Sequence, residues 1–310
     1  MKKSIVLLFA GQGAQEVGMG HSMSEVYPKV REIIAMADEE LGVELSRVMF
    51  NGPSDKLTQT SWCQPALYVH GLACWEMLKE NCSSLNPVAA AGLSLGEFTA
   101  YSAAGSFSFS DGLKLVSKRG KFMDEACSMT NGSMAAIIGG DEEAVRELAK
   151  KYDIDVANLN APGQIVISGS RENILSAVNE VKDFGCRMGK VLEVAGAYHS
   201  RLMVRAQEKL AQELENFEIS ASNFPVISNV EAESIVQVDS IRASLERQVT
   251  GSVRWCESME YLLDSIPDAT FVEFSPKPVL AGLMSRIRRG VEVLTVSDPE
   301  SLEEVTMALS

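Results

Sequence analysis

Val88-Ala89-Ala90-Ala91-Gly92-Leu93-Ser94-Leu95-Gly96-Glu97 reads as a buried strand that breaks into a glycine-flanked turn and restarts as a helix. A short run of small and apolar residues suits a strand covered on both faces. The G-x-S-x-G at its end is the pattern of a nucleophile elbow, in which glycines permit a sharp turn and the serine is held above the sheet edge. A helix from about Glu97 to Ala104 would place its positive end beside Ser94, where an oxyanion would form. The Leu95 N–H is then the natural oxyanion donor. The same pentapeptide arises by chance in unrelated chains, so its weight comes from the strand and helix around it.

Working outward, the neighbouring elements alternate in the same way. Ser4 to Phe9 is an apolar strand that runs into a glycine-containing turn. Helical stretches follow near Val26 to Leu41 and Pro65 to Lys79, and beyond the elbow from Ser110 to Ala126. Strands alternating with helices imply a parallel sheet covered on both faces. From Ser128 the pattern changes. Met134 to Ile138 is a short strand, and Asp141 to Lys151 an amphipathic helix with an acidic start and a basic end, which suits the helix dipole. Asp155 to Asn160 and Ile165 to Ser168 are strands joined by the turn Ala161-Pro162-Gly163. Arg171 to Phe184 is a second helix and Arg187 to Val194 a fourth strand. The order β-α-β-β-α-β is the split unit of ferredoxin-like folds. The expected architecture is therefore α/β: an α/β-hydrolase-like large domain with a parallel sheet (residues 1–127 and 197–310) and an inserted ferredoxin-like small domain (residues 128–196). Phe271 to Phe274 and Val291 to Val296 supply later strands of the large domain.

Length and composition bound the rest. A chain of 310 residues suggests about two domains. With 46% apolar and 23% charged residues, it has the mixture of an ordinary globular protein and needs no metal or disulfide to fold. The net charge of −14 argues against a nucleic-acid or polybasic membrane-surface partner. Cys63, Cys74, Cys82, Cys127, Cys186 and Cys256 form no C-x-x-C pair and have no histidines at zinc spacing, which points to reduced thiols, no metal site and a cytoplasmic setting. No apolar run reaches the length of a membrane span. The apolar stretch after Lys2-Lys3 is short for a signal peptide and is read as the first strand.

A serine nucleophile needs a base, and the chain has 3 histidines. His21 lies in a glycine-rich stretch before a helix. His70 sits in Ala66-Leu67-Tyr68-Val69-His70, where packing inside a helix is the simpler role. His199, in Gly196-Ala197-Tyr198-His199-Ser200, follows directly on the small domain, where the returning chain would form a cleft wall. Gly11-Gln12-Gly13 is not a dinucleotide fingerprint, because G-x-G-x-x-G fails at Glu16. Gln12 is either a turn residue or an amide presented to the cleft. Arg119, in Lys118-Arg119-Gly120, lies on a helix expected to face solvent otherwise.

Together these segments resemble the malonyl-CoA:acyl carrier protein transacylase family. The resemblance rests on Phe9-Ala10-Gly11-Gln12-Gly13-Ala14-Gln15, Gly92-Leu93-Ser94-Leu95-Gly96-Glu97, Lys118-Arg119-Gly120 with Met123, Asn158 through Gly169, Gly196-Ala197-Tyr198-His199-Ser200, and Gln248 through Val253-Arg254-Trp255. It runs in order over nearly the whole chain. It implies that Ser94 is the nucleophile, His199 its base, Arg119 the partner of the malonyl carboxylate, and Gln12 with the Leu95 N–H the oxyanion hole. It also implies that the main-chain carbonyl of Gln248 orients His199 in place of a triad acid. The implied reaction moves malonyl from malonyl-CoA to the phosphopantetheine thiol of acyl carrier protein through a malonyl-Ser94 ester, in fatty acid biosynthesis. It uses no cofactor, and the enzyme is expected to be a monomer. Three positions depart from the family pattern: Leu93 where histidine is frequent, Tyr198 where phenylalanine is commoner, and Ser275-Pro276-Lys277-Pro278 in place of Gly-Pro-Gly-Lys.

Other readings share parts of this pattern. A discrete acyltransferase of a polyketide pathway would look the same. An acyl-thioester hydrolase would share the elbow but places an acidic triad member between serine and histidine and leaves Arg119 without a role. A non-catalytic docking module would not need both Ser94 and His199. For an acidic carrier protein, the densest basic cluster is Ser285-Arg286-Ile287-Arg288-Arg289, with Arg187, Lys190 and Arg201 as the second choice; a solvated helix end explains the first cluster equally well.

Overall fold

Ile5 to Phe9 are all buried and form the interior of strand β1 (Lys3–Phe9). The computed structural model describes residues 3–310. The remaining strands are β2 (Leu85–Gly92), β3 (Gly132–Ile138), β4 (Asp155–Ala161), β5 (Gln164–Ser170), β6 (Met188–Val191), β7 (Val226–Ile227), β8 (Ser234–Ile235), β9 (Thr270–Phe274) and β10 (Val293–Val296). They make two sheets. The larger has the order β10-β9-β1-β2-β7-β8 and is parallel except for the β7–β8 pair. Both faces of β1 are covered, which is why its sequence is apolar without alternation. Truncating Leu7 to alanine there would cost about 2–5 kcal/mol.

The smaller sheet has the order β4-β5-β3-β6 and is antiparallel throughout. With the helices Glu142–Lys151 and Arg171–Glu180 this is the ferredoxin-like arrangement. Asp141 caps the first helix by accepting from the Ala144 N–H at 2.8 Å, and Ser170 caps the second by accepting from Asn173 N–H at 3.3 Å. This unit has an apolar core of its own, built from residues such as Ile137, Val145, Leu148, Ile167 and Ile174. Its sheet is tied to the larger unit where Val253 N–H donates to Ala157 O at 2.8 Å and Leu159 N–H donates to Val253 O at 2.9 Å.

Local corrections have local causes. The helix expected from Pro65 starts at Thr60, where Thr60, Cys63 and Gln64 are already buried; Pro65 is its sixth residue and leaves the Ser61 carbonyl without its helix donor. The helix near Val26 is split at Tyr27, with Pro28 opening Pro28–Leu41 and His21 opening a short helix His21–Val26. The helix from Arg171 ends at Glu180 and tightens into a 3₁₀ turn, Val181–Phe184, closed by Gly185 in the left-handed region. The strand expected over Arg187 to Val194 pairs only over Met188–Val191. No described helix is long and apolar enough to cross a membrane.

Candidate active site

Ser94 stands between β2 and the helix Leu95–Ala103, with φ 55° and ψ −106°. A non-glycine residue pays for positive φ, and such strain collects at functional sites. Two contacts make the turn possible. A Cβ on Gly92 would lie 1.9 Å from Gly96 C, and one on Gly96 would lie 2.0 Å from Phe9 O, so neither position tolerates a side chain. Asn229 then staples the turn: its Oδ1 accepts from Ser94 N–H at 2.7 Å and its Nδ2 donates to Gly92 O at 2.7 Å. Leu95 is the first residue of the helix, so its N–H has no carbonyl in its own helix to receive it.

His199 is buried, also at positive φ (53°), and its Nε2 lies 2.8 Å from Ser94 Oγ. Its Nδ1 lies 2.9 Å from Gln248 O and 3.1 Å from Gly251 O. Both are acceptors, so Nδ1 carries the hydrogen and Nε2 keeps a lone pair for the Ser94 hydroxyl proton. Burial, and next the Arg119 charge, push the His199 pKa down to about 4. The imidazole is therefore a neutral base at pH 7. The other histidines are elsewhere. His21 is exposed against Phe50, and His70 is buried in the helix Thr60–Asn81.

Arg119 corrects its expected setting. The helix Phe109–Met129 does not otherwise face solvent: it buries Leu113, Leu115, Val116 and Met123, with Arg119 only 1% exposed. Its spacing alternates basic and apolar residues, and tertiary packing decides which side each falls on. The Arg119 guanidinium lies over the Phe98 ring at 5.1 Å, donates through Nη2 to Ser94 Oγ at 3.1 Å and to Gln248 Oε1 at 2.7 Å. Nε and Nη1 are buried and have no acceptor among the described residues. Burial lowers its pKa to about 10, which leaves it charged at neutral pH.

Gln12 reaches the same cleft from the end of β1. The Leu93 N–H donates to Phe9 O at 3.0 Å, which sets the two loops side by side. The Gln12 side-chain amide, however, donates to Thr58 O at 3.4 Å and is not turned to Ser94. The cleft measures about 240 Å³ and lies between the two sheets. Ser94, His199 and Tyr198 form its floor, while Asn158, Asn160 and Leu192 line it from the small unit. The Tyr198 hydroxyl is fixed by Thr60 Oγ1 at 2.7 Å. A second cleft of about 550 Å³ next to Gly251 carries Arg146 and Arg201 and includes neither Ser94 nor His199.

Three contributions were not assigned from the sequence, although Glu97 and Gln248 stand in the motifs that carry the resemblance. Asn229 lies in an unremarkable Ser228-Asn229-Val230. Glu97 is an acid in the first turn of a helix, which normally means a solvated residue, yet it is fully buried and its pKa is raised by that burial to about 7. The Gln248 side chain is as engaged as its main chain: Nε2 donates to Ser94 O at 2.8 Å and to Glu97 Oε2 at 2.7 Å.

Residues 6–301 match the family described as acyl transferase domain. The chain is 40% identical over 304 residues to the malonyl CoA-acyl carrier protein transacylase of Bacillus subtilis (strain 168), covering 96% of this chain and 95% of that protein. The chain belongs to the malonyl CoA-acyl carrier protein transacylase family. Among solved structures of this family, that of Coxiella burnetii superposes with a TM-score of 0.95 at 33% identity, covering 100% of this chain and 98% of that one. A malonyl-transacylase solved with its type II polyketide acyl-carrier protein superposes with a TM-score of 0.93 at 34% identity, covering 99% of each. Members share the architecture seen here, a large α/β unit with a ferredoxin-like subdomain.

Proposed function

We propose that this protein transfers the malonyl group of malonyl-CoA to the phosphopantetheine thiol of acyl carrier protein, in fatty acid biosynthesis. The observation that carries the choice of acyl group is Arg119. A buried guanidinium touching the Ser94 hydroxyl, with Nη1 unpartnered among the described residues, suits an anion one acyl length from the reacting carbon. The free carboxylate of malonate is such a group.

Ser94 Oγ gives its proton to His199 Nε2 and attacks the thioester carbonyl. The negative charge collects on the carbonyl oxygen, beside the Leu95 N–H and the main chain at Gln12, which serve as the oxyanion hole. Collapse breaks the C–S bond, and the His199 proton leaves with CoA. The carrier thiol then gives its proton to His199 and attacks the malonyl-Ser94 ester, which restores Ser94. The imidazolium formed in each half-reaction is held by the Gln248 and Gly251 carbonyls, so no triad carboxylate is needed. The reaction as written uses no cofactor. All its residues come from one chain, so a monomer suffices. The insert is taken as residues 128–196, and the free cysteines suit a reducing cytoplasm.

Intact-mass measurement tests the reading. Incubation with malonyl-CoA should add one malonyl group to the wild type and none to Ser94→Ala, and added carrier protein should remove it onto its own thiol. Loss of the adduct to water at the same rate, with or without carrier protein, would make the protein a hydrolase. An adduct on Ser94→Ala would move the nucleophile elsewhere.

A further inference from the structure

The amide of Gln248 can be oriented in one sense only. It is fully buried, with Oε1 accepting from Arg119 Nη2 at 2.7 Å. Its two Nε2 hydrogens go to Ser94 O at 2.8 Å and Glu97 Oε2 at 2.7 Å. Turned over, it would set an NH₂ against a guanidinium that only donates, and an oxygen against a carboxylate. Glu97 is itself anchored. Its Oε2 also accepts from Asn229 N–H at 3.2 Å and its Oε1 from Ser244 Oγ at 3.3 Å. It stands in the first turn of the elbow helix, so the turn that sets Ser94 also sets Glu97.

We propose that Glu97 is a positioning residue for acyl-group selection: it locks the Gln248 amide, whose oxygen pins Arg119 Nη2 beside Ser94 and so leaves Nη1 aimed to donate to the acyl carboxylate. This rests on the malonyl-transfer reading above. An arginine side chain has several rotatable bonds, and pinning Nη2 between Ser94 and Gln248 fixes the plane of the guanidinium and the direction of the Nη1 hydrogens. Gln248 thereby serves two groups at once, with its main chain on His199 and its side chain on Arg119. The alternative role for a buried acid near Arg119 is a plain counter-charge, and it has the opposite consequence. A counter-charge competes with the malonyl carboxylate, so removing it would improve malonyl acceptance.

The test is the ratio of acylation rates with malonyl-CoA and acetyl-CoA, read by intact mass in single turnovers. Glu97→Gln keeps an acceptor for Gln248 Nε2 and an amide for Ser244, so the lock survives without the charge; its ratio should stay within about twofold of wild type. Glu97→Met removes the lock, and loss of one directed hydrogen bond to the carboxylate should lower the ratio about tenfold. Gln248→Met breaks the same lock from the other side while leaving its main-chain carbonyl in place. It should lower the ratio similarly, and it carries the test if Glu97→Met fails to fold. The double variant should be no worse than either single one, because both act through one contact. A raised ratio in Glu97→Gln, equal losses with both acyl donors, or multiplicative effects in the double variant would overturn the proposal. Failure of the wild type to accept malonyl at all would instead overturn the reading on which it rests.

Discussion

Replacing Arg119 by alanine should change which acyl group is accepted more than how fast serine reacts. Among the described residues two buried Arg119 donors, Nε and Nη1, have no partner. A carboxylate at the Nη1 end forms charge-assisted hydrogen bonds beside a side chain that is almost fully buried. Truncating one member of such a pair costs about 2–5 kcal/mol. At about 1.36 kcal/mol per decade, that is roughly a 30- to 5,000-fold fall in kcat/KM for malonyl-CoA. Acetyl-CoA has a methyl group at that place and loses nothing there, so the malonyl-to-acetyl ratio should fall by most of that factor. The alanine also opens a void under Phe98, so the thermal midpoint of each variant must be measured alongside. Arg119→Lys serves as the control: it keeps a charge but not the fork, and should fall between the two. Stopped-flow or quenched single turnovers with both acyl-CoA donors provide the assay. Equal damage to both would mean that Arg119 only holds the site together.

Three further outcomes follow from the same geometry. Because burial keeps His199 unprotonated down to about pH 4, the acylation rate should stay level as pH falls from 7 to about 5 and drop only near 4; a midpoint near 6.5 in a pH-jump assay would put the base in a solvated setting. His70 is buried too, with its pKa pushed down to about 4 from 6.5 by desolvation. The folded state then binds fewer protons than the unfolded one across that window, so stability is full above 6.5 and is lost as pH falls toward 4. His70→Leu should shrink the difference in urea unfolding free energy between pH 7 and 4.5 by about 2 kcal/mol, and an unchanged difference would refute it. For carrier-protein docking, Arg286 is the better-placed member of its cluster, since it donates to Gln164 Oε1 at 2.9 Å on the rim of the cleft, whereas Arg288 is paired with Asp264 at 2.9 Å. Changing Arg286 and Arg289 to Glu should raise the KM for carrier protein several-fold, increasingly so at low salt, and leave malonylation by malonyl-CoA unaltered. The second choice is weakened by the structure, because Arg201 is already neutralised by Asp153 and Asp155; an unchanged KM would remove the first.

What the chain determines on its own is whatever depends on near neighbours. The elbow is legible because Gly92, Ser94 and Gly96 lie within one turn, and the sterics that demand glycine are local. The small unit is legible because its strands and helices follow one another with short turns and capped ends, as at Asp141 and Ser170. Pairing Ser94 with His199 was open to reading only through elimination among three histidines and through resemblance. Tertiary structure alone decided the rest. Nothing near Arg119 in the chain says that its helix is buried on that side, and the phasing of a long helix is settled by what packs against it. Nothing near Asn229 says that it will staple a turn 135 residues away, or near Glu97 that it will lie under Gln248, 151 residues on. Hydrogen-bond partners of buried polar groups are chosen by the closing of the fold, where each donor must find an acceptor once water is gone. That requirement acts on distance in space, and a linear pattern of residue types does not carry it.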